Sequence, residues 1–386
     1  MAVKDEFKEK VTALQNSIPM IKELFHIHMK VGEGTFSSVY LATLKSSEGS
    51  KEYKRYALKY LVPTCHIEKI ERELQCLKEI GGQDHVVGLE CCLRNQGSVV
   101  FVMPYMRHDK FSEYIKDMTV QETRDYMRAL LVALRRVHQF NIIHRDVKPS
   151  NFLYDRINKR YLLVDFGLAQ KYTPTLNDET IVNNTIQSVK RKRFDENSKD
   201  VSGTSDKIYM NDQCACFGKP KTCSLCLNKR SQVAPRAGTP GFRAPEVLLK
   251  YSLQTPAIDI WASGIIMLCI LSATQPFFRS PDDCTALAEI ISVFGTQKLQ
   301  QCAQKLGKKL ITSENLPGID LMTLCQKLQK RNRDLPHNSN YKKMPSSFEE
   351  YPKEAYQLLK SLLDVNHKTR ITAEQALEHP FFKLSL

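Results

Sequence analysis

The stretch His144-Arg145-Asp146-Val147-Lys148-Pro149-Ser150-Asn151, followed after a strand-like run by Asp165-Phe166-Gly167, decides the reading of this chain. Asp146 offers a carboxylate for the proton of an attacked hydroxyl, Asn151 a neutral oxygen for a magnesium ion, and Asp165 a charged metal ligand. Lys148 places a cation two residues from Asp146, where a migrating phosphoryl group would need neutralising. An isolated Asp or Asn usually closes a turn, so the weight lies in order and spacing. Together they point to phosphoryl transfer. Arg145, beside the expected base, is suited to anchor a charged downstream segment.

Upstream, Val31-Gly32-Glu33-Gly34-Thr35-Phe36-Ser37-Ser38-Val39 lies between two strand-like runs. Glycines there let backbone amides approach phosphates with no Cβ in the way. Ser37 stands where such loops commonly carry a third glycine. Lys59 ends the alternating run Tyr56-Ala57-Leu58-Lys59, and a lysine at the buried end of a strand is costly without anionic partners. The expected partners are phosphate oxygens and Glu73, on the inward edge of a helix expected over Ile67 to Ile80 and closed by Gly81-Gly82. Glu68 and Glu71 are the solvated alternatives.

The 386 residues, 42% hydrophobic, suffice for a large core or a two-lobed domain. No apolar run approaches the ~20 residues that span a bilayer, and the opening MAVKDEFKEK is charged where a secretory signal would be apolar, so an intracellular chain without membrane contact is expected. Its twelve cysteines then suit burial or metal binding better than disulfides. The net charge of +14 favours acidic partners, and Lys190-Arg191-Lys192-Arg193 fits nuclear import. Residues 1–25 place Phe7, Val11, Leu14, Ile18 and Ile21 on one helical face, which predicts a docking helix for a partner surface. Residues 26–104 read as a small antiparallel sheet lobe with one helix, including a buried strand from Val99 to Met103. Residues 105–386 read as a larger, mainly helical lobe, with Tyr126, Leu130, Leu134 and Val137 on one helix face and a central helix from Ile260 to Leu271 apolar all round. The fold class is α+β. Two stretches, about 172–236 and 296–345, are polar or Lys-rich and read as insertions outside the core.

Farther on, Gly238-Thr239-Pro240-Gly241-Phe242-Arg243-Ala244-Pro245-Glu246 predicts a turn-rich peptide platform, and Arg370 is expected to pair with Glu246 as a buried strut. From Gly32 to the ending Thr372-Ala-Glu-Gln-Ala-Leu-Glu-His-Pro-Phe-Phe, the chain resembles the eukaryotic protein kinases. Among them it is most similar to the cell division cycle seven kinases. Ser37, the long stretch from Asp165 to Glu246 and the second insertion after Gly295 carry that likeness. The resemblance implies a two-lobed fold with ATP between the lobes. Its adenine would lie against Val39, Ala57 and the linker Met103-Pro104-Tyr105-Met106, with Met103 guarding a rear pocket and Leu153 as the floor. It further implies Ser/Thr acceptors, a role in starting DNA replication and in the cell cycle, and the minichromosome maintenance helicase as substrate. An activating subunit of Dbf-four type is also implied, touching the small-lobe helix and the late insertion. Ordering of the Glu73 helix by that subunit is the expected route of activation.

Cys214-Ala-Cys216 and Cys223-Ser-Leu-Cys226 bring four thiolates close together in a loop too polar to fold by burial. They suit a structural tetrahedral zinc, with free or redox-active thiols as the alternative. Arg236 and Arg243 bracket the platform near Thr239. They are expected either to hold a carboxylate or phosphate on the residue after the target or only to brace the segment. Two other readings, a silent pseudokinase scaffold and a zinc-bearing nucleic-acid binder, fit less well. A scaffold would be free to lose Lys59, Glu73, Asp146, Asn151 or Asp165, and all are present. The basic residues are scattered with few aromatics among them, so direct nucleic-acid binding is not expected.

Overall fold

The structure is a computed structural model that describes residues 2–34, 37–47, 54–62, 67–173, 236–334 and 350–383. Residues 1–172 and 235–386 belong to one compact unit. Helices α1 (Ala2–Ser17) and α2 (Pro19–Leu24) lead into strands β1 (Phe25–Gly34), β2 (Ser37–Leu44) and β3 (Arg55–Leu61). Helix α3 (Ile67–Glu79) then precedes β4 (Cys91–Asn95) and β5 (Ser98–Pro104). The five strands form one antiparallel sheet in the order β1-β2-β3-β5-β4.

The two-residue alternation of a strand sorts this sheet into two faces. Tyr40, Ala42, Tyr56, Leu58, Leu93, Val100 and Val102 turn to one side and join Leu14, Ile18, Ile21 and Phe25 in a buried cluster. Val39, Ala57 and Lys59, one residue out of step, turn to the cleft on the other. Both faces of β5 are therefore covered, which is why Val99-Val100-Phe101-Val102-Met103 is apolar without alternation and buried throughout. Burying Leu14, Ile18 and Ile21 contributes roughly 1.5–3 kcal/mol each. The N-terminal helix is thus a docking helix whose surface is the chain's own sheet. Its apolar face is used internally and is not held out for another protein, and Pro19 divides it into α1 and α2.

Past the sheet come α4 (Phe111–Tyr114), α5 (Val120–Gln139), β6 (Ile142–Ile143), β7 (Phe152–Asp155), β8 (Arg160–Leu163) and β9 (Gln170–Lys171). β6 pairs with β9 and β7 with β8. Thr119 caps α5, its side chain accepting from the Glu122 N–H at 3.1 Å. The predicted face Tyr126, Leu130, Leu134 and Val137 is wholly buried.

The chain resumes with α6 (Pro245–Leu248), α7 (Ala257–Ser272), α8 (Asp283–Phe294), α9 (Thr296–Lys305), α10 (Leu321–Asp334), α11 (Lys353–Leu362) and α12 (Ala373–Leu377). Helix α7 is buried all round, as its uniformly apolar sequence requires. Gly264 lets α11 lie close against it: a Cβ there would sit 2.7 Å from Leu363 Cδ2. The late insertion is smaller than its composition suggested. Leu299, Cys302 and Ala303 of α9 and Leu321 and Cys325 of α10 are buried, so residues 296–334 build the large lobe. Their lysines occupy the outer helix faces, which masked the apolar stripe. The stretch 335–345 and nearly all of 172–236 lie outside the described residues.

Candidate active site

Strand β3 carries Lys59 to the cleft face, and α3 brings Glu73 to meet it. The Lys59 Nζ donates to Glu73 Oε1 at 2.5 Å and to Asp165 Oδ1 at 2.8 Å, with Lys59 and Glu73 both buried. Burial alone would push the ammonium's pKa down, but the carboxylates of Glu73 and Asp165 outweigh it and hold it above the ordinary lysine value. Burial likewise opposes ionisation of Asp165, yet Lys59 and the Gly167 amide draw its carboxyl down to about 2. The Glu73 carboxyl is raised, because burial exceeds the opposing pull of Lys59. Glu68 is solvated as expected, while Glu73 lies on the buried face of α3. The pair is present in the single chain.

The loop between β6 and β7 holds the second set. Asp146 Oδ1 accepts from the Thr239 hydroxyl at 2.7 Å, and Asp146 Oδ2 accepts from Lys148 Nζ at 2.8 Å and Asn151 Nδ2 at 3.0 Å. Lys148 Nζ also donates to Thr239 Oγ1 at 2.8 Å. The Asn151 amide nitrogen is spent on the Asp146 side chain and on the Asp146 carbonyl at 2.9 Å, which leaves its oxygen for the cleft. His144 Nε2 donates to the Val164 carbonyl at 3.1 Å, and its ring lies 5.1 Å from that of Phe166. This contact ties the catalytic loop to the Asp165-Phe166-Gly167 turn.

Two residues of this assembly, Arg145 and Asp165, hold φ at 70°, a left-handed backbone that costs a non-glycine residue about 1–3 kcal/mol. Asp165 is held by Lys59 and the Gly167 N–H. Arg145 is held by a residue whose role the sequence reading did not identify. Asp259, at the start of α7 and 1% exposed, accepts at Oδ1 from the Arg145 N–H at 2.8 Å. At Oδ2 it accepts from the His144 N–H at 2.8 Å and meets His138 Nε2 at 2.9 Å. One signal was available: a carboxylate opening an otherwise apolar helix must find buried donors. Gly238, with φ 103°, packs the platform against the same loop, where a Cβ would lie 2.8 Å from the Arg145 carbonyl.

Between the sheet and the large lobe lies a cleft of about 630 Å³. Val31, Gly32, Glu33, Gly34, Ser37, Val39, Ala57, Met103, Pro104, Tyr105, Met106 and Leu153 all line it, together with Lys59, Glu73, Lys148, Asn151 and Asp165. Val87, Leu162 and Val164 add apolar walls the sequence did not identify. Thr35 and Phe36 lie outside the described residues. Its volume and mixed apolar and charged lining suit a nucleotide. The residues also fit a divalent cation, since one Asp165 oxygen is spent on Lys59 and the other, like the Asn151 amide oxygen, accepts no hydrogen bond from the described residues.

Arg236 and Arg243 are both engaged by Asp283. Arg243 donates to Asp283 Oδ1 at 2.6 Å and to the Gly238 carbonyl at 2.6 and 2.9 Å, while Arg236 Nε lies 2.5 Å from Asp283 Oδ2. In this arrangement they brace the platform. The predicted strut forms, with Arg370 donating to Glu246 at 2.7 and 3.0 Å and stacking 5.1 Å above the Trp261 ring. Cys214, Cys216, Cys223 and Cys226 lie outside the described residues, among which no group of three or more His, Cys, Asp or Glu side chains is placed to hold a metal.

A sheet lobe and a helical lobe, with a lysine-carboxylate cleft facing an Asp-Lys-Asn loop, define a protein kinase, an enzyme that uses ATP and magnesium. The protein kinase domain family matches residues 25–187 and 222–382. The human cell division cycle 7-related protein kinase is 35% identical, across 97% of this chain and 92% of its own. The non-specific serine/threonine protein kinase Cdc7 of Drosophila melanogaster is 33% identical, across 98% of this chain and 77% of its own. The cell cycle serine/threonine-protein kinase hsk1 of Schizosaccharomyces pombe is 31% identical, across 98% and 76%. The chain belongs to the protein kinases, in the branch of the cell division cycle 7-related serine/threonine kinases.

Proposed function

We propose that this kinase phosphorylates serine or threonine in acidic segments of proteins that start DNA replication, with the minichromosome maintenance helicase as a natural substrate. The observation that carries the catalytic part is the Lys59 ammonium, shared between Glu73 and Asp165 at the head of the cleft. In this reading Lys59 steadies the non-transferred phosphates and Glu73 holds Lys59 in place. Asp165 and Asn151 would hold magnesium, which would supply positive charge to offset the phosphates. Asp146 orients the acceptor hydroxyl and takes its proton, while Lys148 offsets charge on the transferred group and Thr239 fixes both side chains. The test is phosphate transfer to an acidic serine peptide by the chain with its activating subunit. Asp146→Asn should abolish transfer and keep Mg-ATP binding; undiminished transfer would refute the assignment.

An acidic or phosphorylated residue after the target would reach Arg236 and Arg243 by competing with Asp283. Arg236, with a side chain 58% exposed, is the more accessible of the two. A peptide series with Ala, Asp or phosphoserine after the target, run with wild type and Arg236→Ala, tests this directly. Equal rates across the series would end it. Cys214, Cys216, Cys223 and Cys226 would bind one structural zinc, and Lys190 to Arg193 would direct the chain to the nucleus. A Dbf-four type subunit would clamp α3 and the platform in the arrangement described above. Metal analysis of chelator-washed protein bears on the zinc: one equivalent is expected, and none would remove it.

A further inference from the structure

Helix α1 crosses the back of the nucleotide-binding sheet at one particular end. Near its start, Glu6 and Lys10 pair at 2.6 Å and lie within electrostatic reach of Lys30 and Glu33, on the β1 side of the glycine-rich hairpin. At its other end, the Ser17 carbonyl accepts from Asn95 Nδ2 at 2.8 Å. Asn95 closes β4, and β1 and β4 are the two edges of the sheet. The pairings Gly34 with Ser37, Ser37 with Leu61, Leu61 with Val99 and Ser98 with Asn95 put the hairpin and Asn95 at the same end of the strands. Sixteen helical residues measure ~24 Å. Four inter-strand gaps of ~4.8 Å make ~19 Å, so the helix is long enough to reach from edge to edge.

Between those ends, Phe7 and Val11 pack on the cluster that contains Tyr40. Tyr40 follows Val39, and Val39 lines the cleft opposite Gly32. We propose that α1 is a positioning strap for the nucleotide: it spans the sheet behind the glycine-rich hairpin and fixes the distance from that hairpin to Lys59. The strap touches neither nucleotide nor substrate, so it acts on ATP affinity and not on the phosphoryl-transfer step. This inference rests on the cleft being the nucleotide site.

The test uses the full chain with its activating subunit and the variants Phe7→Ala/Val11→Ala and Asn95→Ala. These changes loosen the middle of the helix and its Asn95 end and spare the buried Leu14, Ile18 and Ile21. We expect KM for ATP and the calorimetric Kd for Mg-ADP to rise about fivefold, with kcat and the peptide KM unchanged. Unaltered ATP and ADP constants would overturn the strap, and so would a fall in kcat matching the rise in KM, since that indicates general loosening. Should Phe7→Ala/Val11→Ala not fold, Asn95→Ala, an exposed side chain, decides alone. Failure of the wild type to bind Mg-ADP would instead refute the nucleotide site itself.

Discussion

Asp259→Asn isolates the contribution of a residue that touches neither nucleotide nor acceptor. The two Asp259 oxygens serve two backbone N–H groups and His138 at 2.8 to 2.9 Å, out of contact with water. Asparagine keeps one oxygen and turns an NH2 toward the other side, so at least one buried N–H loses its acceptor, at about 1–3 kcal/mol. The remaining bonds lose their charge, worth about 1 kcal/mol each. The sum, roughly 3–5 kcal/mol, exceeds the ~1–3 kcal/mol needed to keep Arg145 left-handed, so the loop before Asp146 should relax. A 150–250-residue domain loses roughly 2–4 °C per kcal/mol, and a longer chain less, so melting should fall by about 5–10 °C. Because a displacement near 1 Å at the reacting groups costs about 100-fold, kcat should drop on that order. KM for ATP should hardly move, since Lys59, Glu73 and Asp165 are untouched. Thermal melts and steady-state kinetics with an acidic serine peptide measure both. A variant melting within about 2 °C of wild type at undiminished kcat would show that Asp259 does not hold the loop.

Thr239→Val removes the hydroxyl between Asp146 and Lys148 and should lower kcat about tenfold, while Thr239→Ser restores it; equal kcat for Val and Ser would remove the hydroxyl from the mechanism. Arg370→Met strands a buried Glu246 and should cost about 3–5 kcal/mol, whereas Arg370→Met with Glu246→Leu should recover much of that; melting temperatures decide, and a double variant worse than the single would refute the account. The Asp165 carboxyl is drawn down from 3.8 to about 2, chiefly by Lys59 against burial, so its stabilising contribution is complete above pH 3.8 and fades as pH falls toward 2. The melting difference between wild type and Asp165→Asn should therefore be constant from about pH 5 to 8 and shrink only below about pH 4; shrinkage already at about pH 6 would contradict the depressed value.

The parts legible in the sequence were those whose chemistry and spacing are local. Lys59 and Glu73 were found because one ends an alternating strand and the other sits on a helix face, and both positions follow from backbone periodicity. The α7 helix and the Glu246–Arg370 strut were legible for similar reasons: a uniformly apolar run must be buried, and a buried arginine needs a carboxylate. What escaped involved the far side of an element or a distant acceptor. The apolar face of the N-terminal helix was visible, but nothing local says whether its partner is another chain or the sheet that follows. Asp259 reaches His138, His144 and Arg145 across more than a hundred residues, and no periodicity encodes such a contact. The stripe of Leu299, Cys302 and Ala303 was hidden among lysines and glutamines because a short helix needs only three apolar residues to dock.

A sheet whose back is covered by the chain's own first two helices has a practical consequence for how little of this chain can be made. The family match begins at residue 25, which invites a trimmed catalytic fragment starting there. Such a fragment would uncover Tyr40, Ala42, Tyr56, Leu58, Val100 and Val102 as one contiguous greasy patch, the kind of surface on which proteins stick to one another. The shortest soluble form should retain α1 and α2, and material lacking them should leave a sizing column as aggregate.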